Sequence, residues 1–344
     1  MHLKNIVAIA ALLCAGANAA IAADATCHLK RLAKFDLQVD SLGRPVVPVK
    51  LAGQTISMLI DTNGAFSAVT ESTVKKLDLA HVVLPRGAMR ATGRNVLPYT
   101  AEAKGFTLGA IPIPNYSFEV LYDTNMNGLD GLLGQDLLTL VDLDLDFPNK
   151  TLNLMEPSTC GDGTVYWAGD VAKLPFYFPD SSAKDDISIL TNAAVGVVTV
   201  TQRRSVPLES KAIITEGQLD GVNVKVVINT ATPVTTISLV QARSLFKWQS
   251  DPPELTRANA DQPDQIPLYN YPFKTLTLGG ITINNPRILI RNAPGATVSR
   301  NTDMLVGAST LQHLHTYVSY KNKILYVTPA EPPPQANPAS PAKP

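Results

Sequence analysis

Charge of one sign is what this sequence most plainly lacks: 29 Lys and Arg balance 29 Asp and Glu, and no basic run exceeds a pair. That balance excludes nucleic acid and anionic membrane surfaces as electrostatically selected partners. A long hydrophobic run is missing too. The apolar stretch Ile6–Leu13 falls well short of the roughly 20 residues that a membrane-spanning helix needs. Neither a nucleophile elbow nor a P-loop is present, which removes the serine-hydrolase and phosphate-cradling readings. Cysteine is scarce, with three residues in 344.

What is there begins with a leader. Met1–Lys4 is basic, Ile6–Leu13 is apolar, and small residues follow through Ala25. That is the order of a secretory signal peptide, over residues 1–22, with Ala17-Asn18-Ala19 or Ala20-Ile21-Ala22 as cleavage signals. The sequence thus predicts a periplasmic or secreted protein. Cys14 lies within the leader, leaving Cys27 and Cys160. An even pair in an exported chain predicts one disulfide, tying the N-terminal extension to the end of the first unit; two unpaired thiols are the alternative. Residues 329–344 are rich in Pro, Ala and Ser without apolar periodicity and predict a disordered tail.

Between these ends the chain repeats itself. Leu51–Ile60 aligns with Leu219–Ile228 without a gap, each reading as strand, glycine turn (Gly53, Gly221) and β-branched strand. Asp61-Thr62 and Asn229-Thr230 follow at once. Phe106–Ile113 aligns with Thr275–Ile283 as a hairpin turning at Gly109 or Gly279-Gly280. Asp130–Leu138 aligns with Asp303–Leu311, placing Gly134 and Gly307 after two apolar residues and before a short helix-like segment. The division predicted is a first lobe over 23–159, a connector over 160–210 and a second lobe over 211–328.

An apolar strand ending in Asp-Thr-Gly, a Ser or Thr six residues past the Asp, and a later apolar-apolar-Gly step together resemble retropepsin-like aspartic peptidases. Here the first copy offers Asp61-Thr62-Asn63-Gly64 with Ser67, and the second Asn229-Thr230-Ala231-Thr232 with Thr235. Leu132-Leu133-Gly134 and Leu305-Val306-Gly307 supply the later step. With both halves in one exported chain, the arrangement is similar to pepsin-like proteins and to bacterial exported aspartyl-protease-like proteins. The resemblance implies an all-β fold of two tandem acid-protease β-barrel lobes, a pseudo-twofold pair around a central cleft. It also implies a peptide or protein segment as the cleft's ligand, no cofactor and no metal, and a monomer carrying both lobes, with a homodimer as the alternative.

Peptide hydrolysis in that family needs two facing carboxylates that share a proton, one activating water and the other polarising the carbonyl. The resemblance makes Asp61 the first catalytic carboxylate and puts Asn229 at the second position. An amide exchanges no proton in the working pH range. Asn63 and Ala231 stand where the family has Gly, a residue expected there for close approach and unusual dihedrals. Two functions stay open: a peptide-binding protein with little or no proteolysis, or an aspartic endopeptidase using Asp61 alone or with Asp61 of a second chain. Ala91–Tyr99 and Arg257–Pro263 are candidates for a hairpin covering the cleft, and read equally well as surface hairpins.

Three further signals remain. Asp123-Thr-Asn-Met-Asn-Gly begins like a calcium loop but puts Gly134 at its twelfth position, so it reads as a polar loop. Asp142, Asp144 and Asp146 alternate with leucines and predict a solvated strand face over a buried one. His313 and His315 share a face without a ligand cluster and predict a structural or surface role.

Overall fold

The computed structural model describes residues 29–84, 96–124, 126–157, 165–179, 188–190, 203–205, 211–262, 265–293 and 302–330. The expected leader, Cys27, Cys160, most of the expected connector and the residues beyond 330 lie outside them. The chain is mostly β, with one closed six-stranded barrel and a large sheet, and no described helix is long and apolar enough to cross a membrane.

The first copy opens with β1 (Arg31–Asp36) and β2 (Gln38–Val39), then β3 (Pro45–Leu51) and β4 (Gln54–Ile60) form a hairpin. Ala52 and Gly53 turn it with φ of 49° and 78°, the paired left-handed geometry that suits the strand twist. Next come β5 (Ala68–Thr70) and helix α1 (Glu71–Lys76), whose first turn is capped by the Thr70 hydroxyl. Strand β6 (His81–Val83) precedes the long hairpin of β7 (Val96–Leu108) and β8 (Ile111–Leu121). Strand β9 (Gly131–Leu133), helix α2 (Gln135–Leu138), β10 (Asp142–Asp146) and β11 (Thr151–Met155) complete the copy. Pairing of β3 with β7 closes β3-β4-β9-β5-β8-β7 into a six-stranded barrel. Its centre is apolar, with Val47, Met58, Ile60, Phe106 and Phe118 fully buried.

Strand β12 (Ala172–Tyr177) and the pair β13 (Ser188–Leu190) and β14 (Arg203–Ser205) lead to the second copy. There β15 (Ile213–Leu219) and β16 (Val222–Ile228) repeat the first hairpin, with Asp220 and Gly221 at φ of 48° and 78°. Strand β17 (Thr235–Ser238) leads into α3 (Leu239–Phe246), capped by Ser238 as Thr70 caps α1. Then follow β18 (Thr256–Arg257), β19 (Leu268–Asn270), β20 (Thr275–Leu278), β21 (Ile281–Asn284) and β22 (Ile288–Arg291). Finally come β23 (Met304–Val306), α4 (Ala308–Leu311), β24 (Leu314–Ser319) and β25 (Ile324–Pro329). The hairpin predicted around Gly279-Gly280 is present as β20 and β21. It is shorter than its first-lobe counterpart: residues 271–274 separate β19 from β20 and residues 285–287 separate β21 from β22.

The lobes meet in the six-stranded run β1-β11-β10-β24-β25-β12. Its middle pair, β10 and β24, is antiparallel with Asp144 opposite Tyr317 and Asp146 opposite His315. Here the structure corrects the expected solvated face: Asp142 and Asp144 are fully buried and Asp146 nearly so. Both faces of this sheet are covered, so alternation with Leu143 and Leu145 marks an apolar and a polar interior face. Each carboxylate is satisfied. Asp142 accepts from Tyr317 and Ser319 hydroxyls at 3.2 Å and from the Tyr320 N–H at 2.9 Å. Asp144 accepts from the Tyr166 hydroxyl and from Asn153 Nδ2, and pairs with His315 Nε2 at 2.6 Å. His315 also stacks on Trp167 at 3.9 Å, the structural role expected of it, while His313 is exposed.

Candidate functional site

Asp61 and Asn229 each follow the C-terminal end of a central strand, β4 and β16. Their own N–H groups donate to Leu133 and Val306 carbonyls, both at 2.9 Å. Parallel pairing of β4 with β9 and of β16 with β23 sets this register identically in the two copies. Both residues are buried.

The next residue in each copy joins the lobes. Thr62 Oγ1 donates to the Ile228 carbonyl at 2.9 Å, and Thr230 Oγ1 donates to the Ile60 carbonyl at 2.5 Å. Each hydroxyl also accepts the other threonine's N–H at 3.2 Å. Four reciprocal bonds therefore place the Asp61 and Asn229 loops against each other inside one chain. All of them are buried, where an unmade bond is most costly.

Each loop is then folded back on the side chain that opens it. Asp61 Oδ1 accepts Asn63 N–H at 3.1 Å and Gly64 N–H at 2.9 Å. Asn229 Oδ1 accepts Ala231 N–H at 2.9 Å and Thr232 N–H at 3.2 Å. Because both partners are donors, the atom they share must be the amide oxygen. Asn229 is left with Nδ2, which only donates.

Neither Asn63 nor Ala231 adopts a positive φ, so their replacement of Gly carries no dihedral strain. The close approach expected of that glycine occurs one residue later. A Cβ on Gly64 would stand 2.7 Å from Asp61 Oδ2. The second copy has Thr232 there.

Gly134 and Gly307 are packed against these loops from behind. A Cβ on Gly134 would stand 2.5 Å from the Phe66 carbonyl oxygen, and one on Gly307 would stand 2.6 Å from that of Val234. Their N–H groups donate to Ser67 Oγ at 2.8 Å and to Thr235 Oγ1 at 3.1 Å. The expected site residues are thus brought together in two matching sets. Of the covering-hairpin candidates, residues 91–95 of the first and residue 263 of the second lie outside the described residues, and Arg257 pairs with Tyr269.

Residues 47–137, the stretch carrying Asp61, Ser67 and Gly134, match the family model described as aspartyl protease. The chain is aspartic-peptidase-like. Among solved structures, the aspartic proteinase from Irpex lacteus matches with 14% identity and a TM-score of 0.47, covering 88% of this chain and 99% of that one. No curated protein matches the sequence.

Three features of this aspartic-peptidase-like site were not anticipated. A carboxylate cluster lies behind the Asp61 loop: Asp136 accepts from Ser67 N–H and Oγ at 2.9 and 2.8 Å and from the Tyr116 hydroxyl. Beside it Glu119 is buried, and burial together with the Asp136 charge pushes its carboxyl up to about 7. Nothing in the surrounding Tyr116-Ser117-Phe118 and Val120-Leu121 marks it in the sequence.

The second feature is a cavity of about 270 Å³ in the second lobe, continuous with the Asn229 loop through Thr232 and Val234. Leu305 and Thr236 form its wall, and Arg291 and Asp303 supply charge. The third is Gln135, fully buried, whose Nε2 donates to the Thr62 carbonyl at 2.5 Å. Among the described residues no group of three or more His, Cys, Asp or Glu is arranged to hold a metal ion.

Proposed function

We propose that this chain is an exported aspartic-peptidase-fold protein that holds a peptide or protein segment between its lobes with little or no proteolysis. The observation that carries this reading is the hydrogen bonding of Asn229. Its Oδ1 replaces the loop-facing oxygen of a carboxylate bond for bond, so the loop is kept while the proton is lost. Two carboxylates would share one proton and supply both a base and an acid. Asp61 beside an amide supplies an acceptor beside a donor. That pair suits the N–H and C=O of an extended peptide in its ground state, and it has no acid to protonate a leaving nitrogen.

A second reading, a weak endopeptidase, is favoured by the intact Asp61 loop. Asp61 alone would have to take a proton from water and return it to the leaving nitrogen, with Asn229 Nδ2 polarising the carbonyl. A version using Asp61 from two chains would require the Thr62–Thr230 bonds to open, whereas a single chain satisfies them.

The test is fluorescence anisotropy of fluorescein-labelled unfolded casein with the chain lacking residues 1–22. Binding that Asp61→Ala weakens supports the cleft reading. Binding unaffected by both Asp61→Ala and Asn229→Ala, or no binding at all, contradicts it.

A further inference from the structure

The two loops are matched in themselves and unmatched in what supports them. Gln135 Nε2 holds the Thr62 carbonyl at 2.5 Å, and Gln135 Oε1 accepts the Tyr320 hydroxyl at 2.8 Å. Tyr320 is anchored in turn, its N–H donating to Asp142 Oδ1 at 2.9 Å. A chain of hydrogen bonds therefore runs from Asp142 in the sheet between the lobes, through Tyr320 and Gln135, to the residue after Asp61. Each side chain in it is buried. Burial also pushes the Tyr320 phenol well above its ordinary range, so the hydroxyl remains a donor.

The internal repeat supplies the control. Gly134 corresponds to Gly307, so Gln135 corresponds to Ala308, and Tyr320 corresponds to Phe147. Ala308 and Phe147 have no polar side-chain atom, so nothing equivalent can hold the Thr230 carbonyl. Both members of the support are missing together behind Asn229, and both are present behind Asp61. A support needed only for folding has no reason to follow the carboxylate in this way.

We propose that Gln135 and Tyr320 are positioning residues for Asp61, acting through the Thr62 carbonyl, and that they fix the carboxylate in the orientation with which it accepts a peptide N–H. The inference rests on the cleft-binding reading. Gln135→Leu removes the bond to the Thr62 carbonyl, and Tyr320→Phe removes the bond that orients Gln135; each is expected to change affinity about threefold to tenfold.

The experiment uses Tyr320→Phe, which keeps the ring, Gln135→Leu, and the double variant. Two readouts are taken well below each variant's Tm: casein anisotropy and the 13C carboxyl signal of Asp61, assigned by its loss in Asp61→Asn. The proposal expects weaker casein binding and a shifted Asp61 signal in both single variants, with the double variant no worse than Gln135→Leu because one relay is cut twice. A lowered Tm with an unmoved Asp61 signal and unchanged affinity overturns it, leaving a structural role only. If the unaltered chain binds no casein, the cleft reading fails by itself. The Asp61 signal then decides the relay: a shift in Tyr320→Phe upholds it and no shift overturns it.

Discussion

Asp61 and Asn229 fold their loops with the same two backbone bonds, at 3.1 and 2.9 Å to Asp61 Oδ1 and at 2.9 and 3.2 Å to Asn229 Oδ1. An aspartate at position 229 would find its inner oxygen already placed. Asn229→Asp is therefore expected to fold with stability within about 1 kcal/mol of the parent. It brings two carboxylates together, which must share a proton. Acid-dependent casein cleavage should appear in this variant and vanish in Asn229→Asp with Asp61→Ala. Release of acid-soluble fluorescence measures it.

Thr62 and Thr230 are expected to be equivalent in stability. In each, replacement by Val removes a bond to a buried carbonyl and strands the partner's N–H, at a cost of about 3 kcal/mol. Urea denaturation of the two single variants and the double variant checks this. The two losses should be less than additive, since the four bonds form one network.

Glu119 predicts a pH dependence. Its carboxyl is raised from 4.5 to about 7 by burial and then by the Asp136 charge. The folded state thus binds more protons than the unfolded state between those values, so stability falls as pH rises through that window. Below it the group is neutral in both states and contributes no penalty; above it the full penalty of about 3 kcal/mol applies. Glu119→Gln should flatten this slope in denaturation curves taken from about pH 4 to 8.

Asp144 should behave as a core residue. Asp144→Ala removes the acceptor of the Tyr166 hydroxyl and of His315 Nε2, and leaves Asn153 Nδ2 only its 3.1 Å bond to the Tyr166 hydroxyl oxygen. The expected loss is about 3 kcal/mol or more, against at most ~0.5 kcal/mol for a solvated strand face. Thermal denaturation distinguishes them.

The repeat was legible because its landmarks are local. Glycine turns, the residues opening each loop, and the apolar-apolar-Gly steps keep their spacing in both copies, and the fold follows from them. Alternation in β10 showed a strand and mislocated its polar face, since periodicity reports that two faces differ and not what covers them. Only the meeting of β10 with β24 makes that face an interior. Gln135 and Tyr320 were hidden for a related reason. They are 185 positions apart, and their meaning emerges only when Ala308 and Phe147 are set against them. Glu119 carries no local signal: it is buried in β8 between β5 and β7, opposite Ala68 and Thr100. Next to Asp61 the close approach is made by Gly64, one residue past the position at which the motif has its glycine, and neither Asn63 nor Gly64 has a positive φ.

The central claim is that Asn229 leaves a peptide-holding pair without a working acid. The most direct measurement is casein cleavage by the chain lacking residues 1–22, beside its Asp61→Ala variant, from about pH 3 to 8. Equal, background-level release by both proteins across the range, with casein bound only by the unaltered chain, is the predicted result. Cleavage by the unaltered chain that Asp61→Ala abolishes would contradict the account.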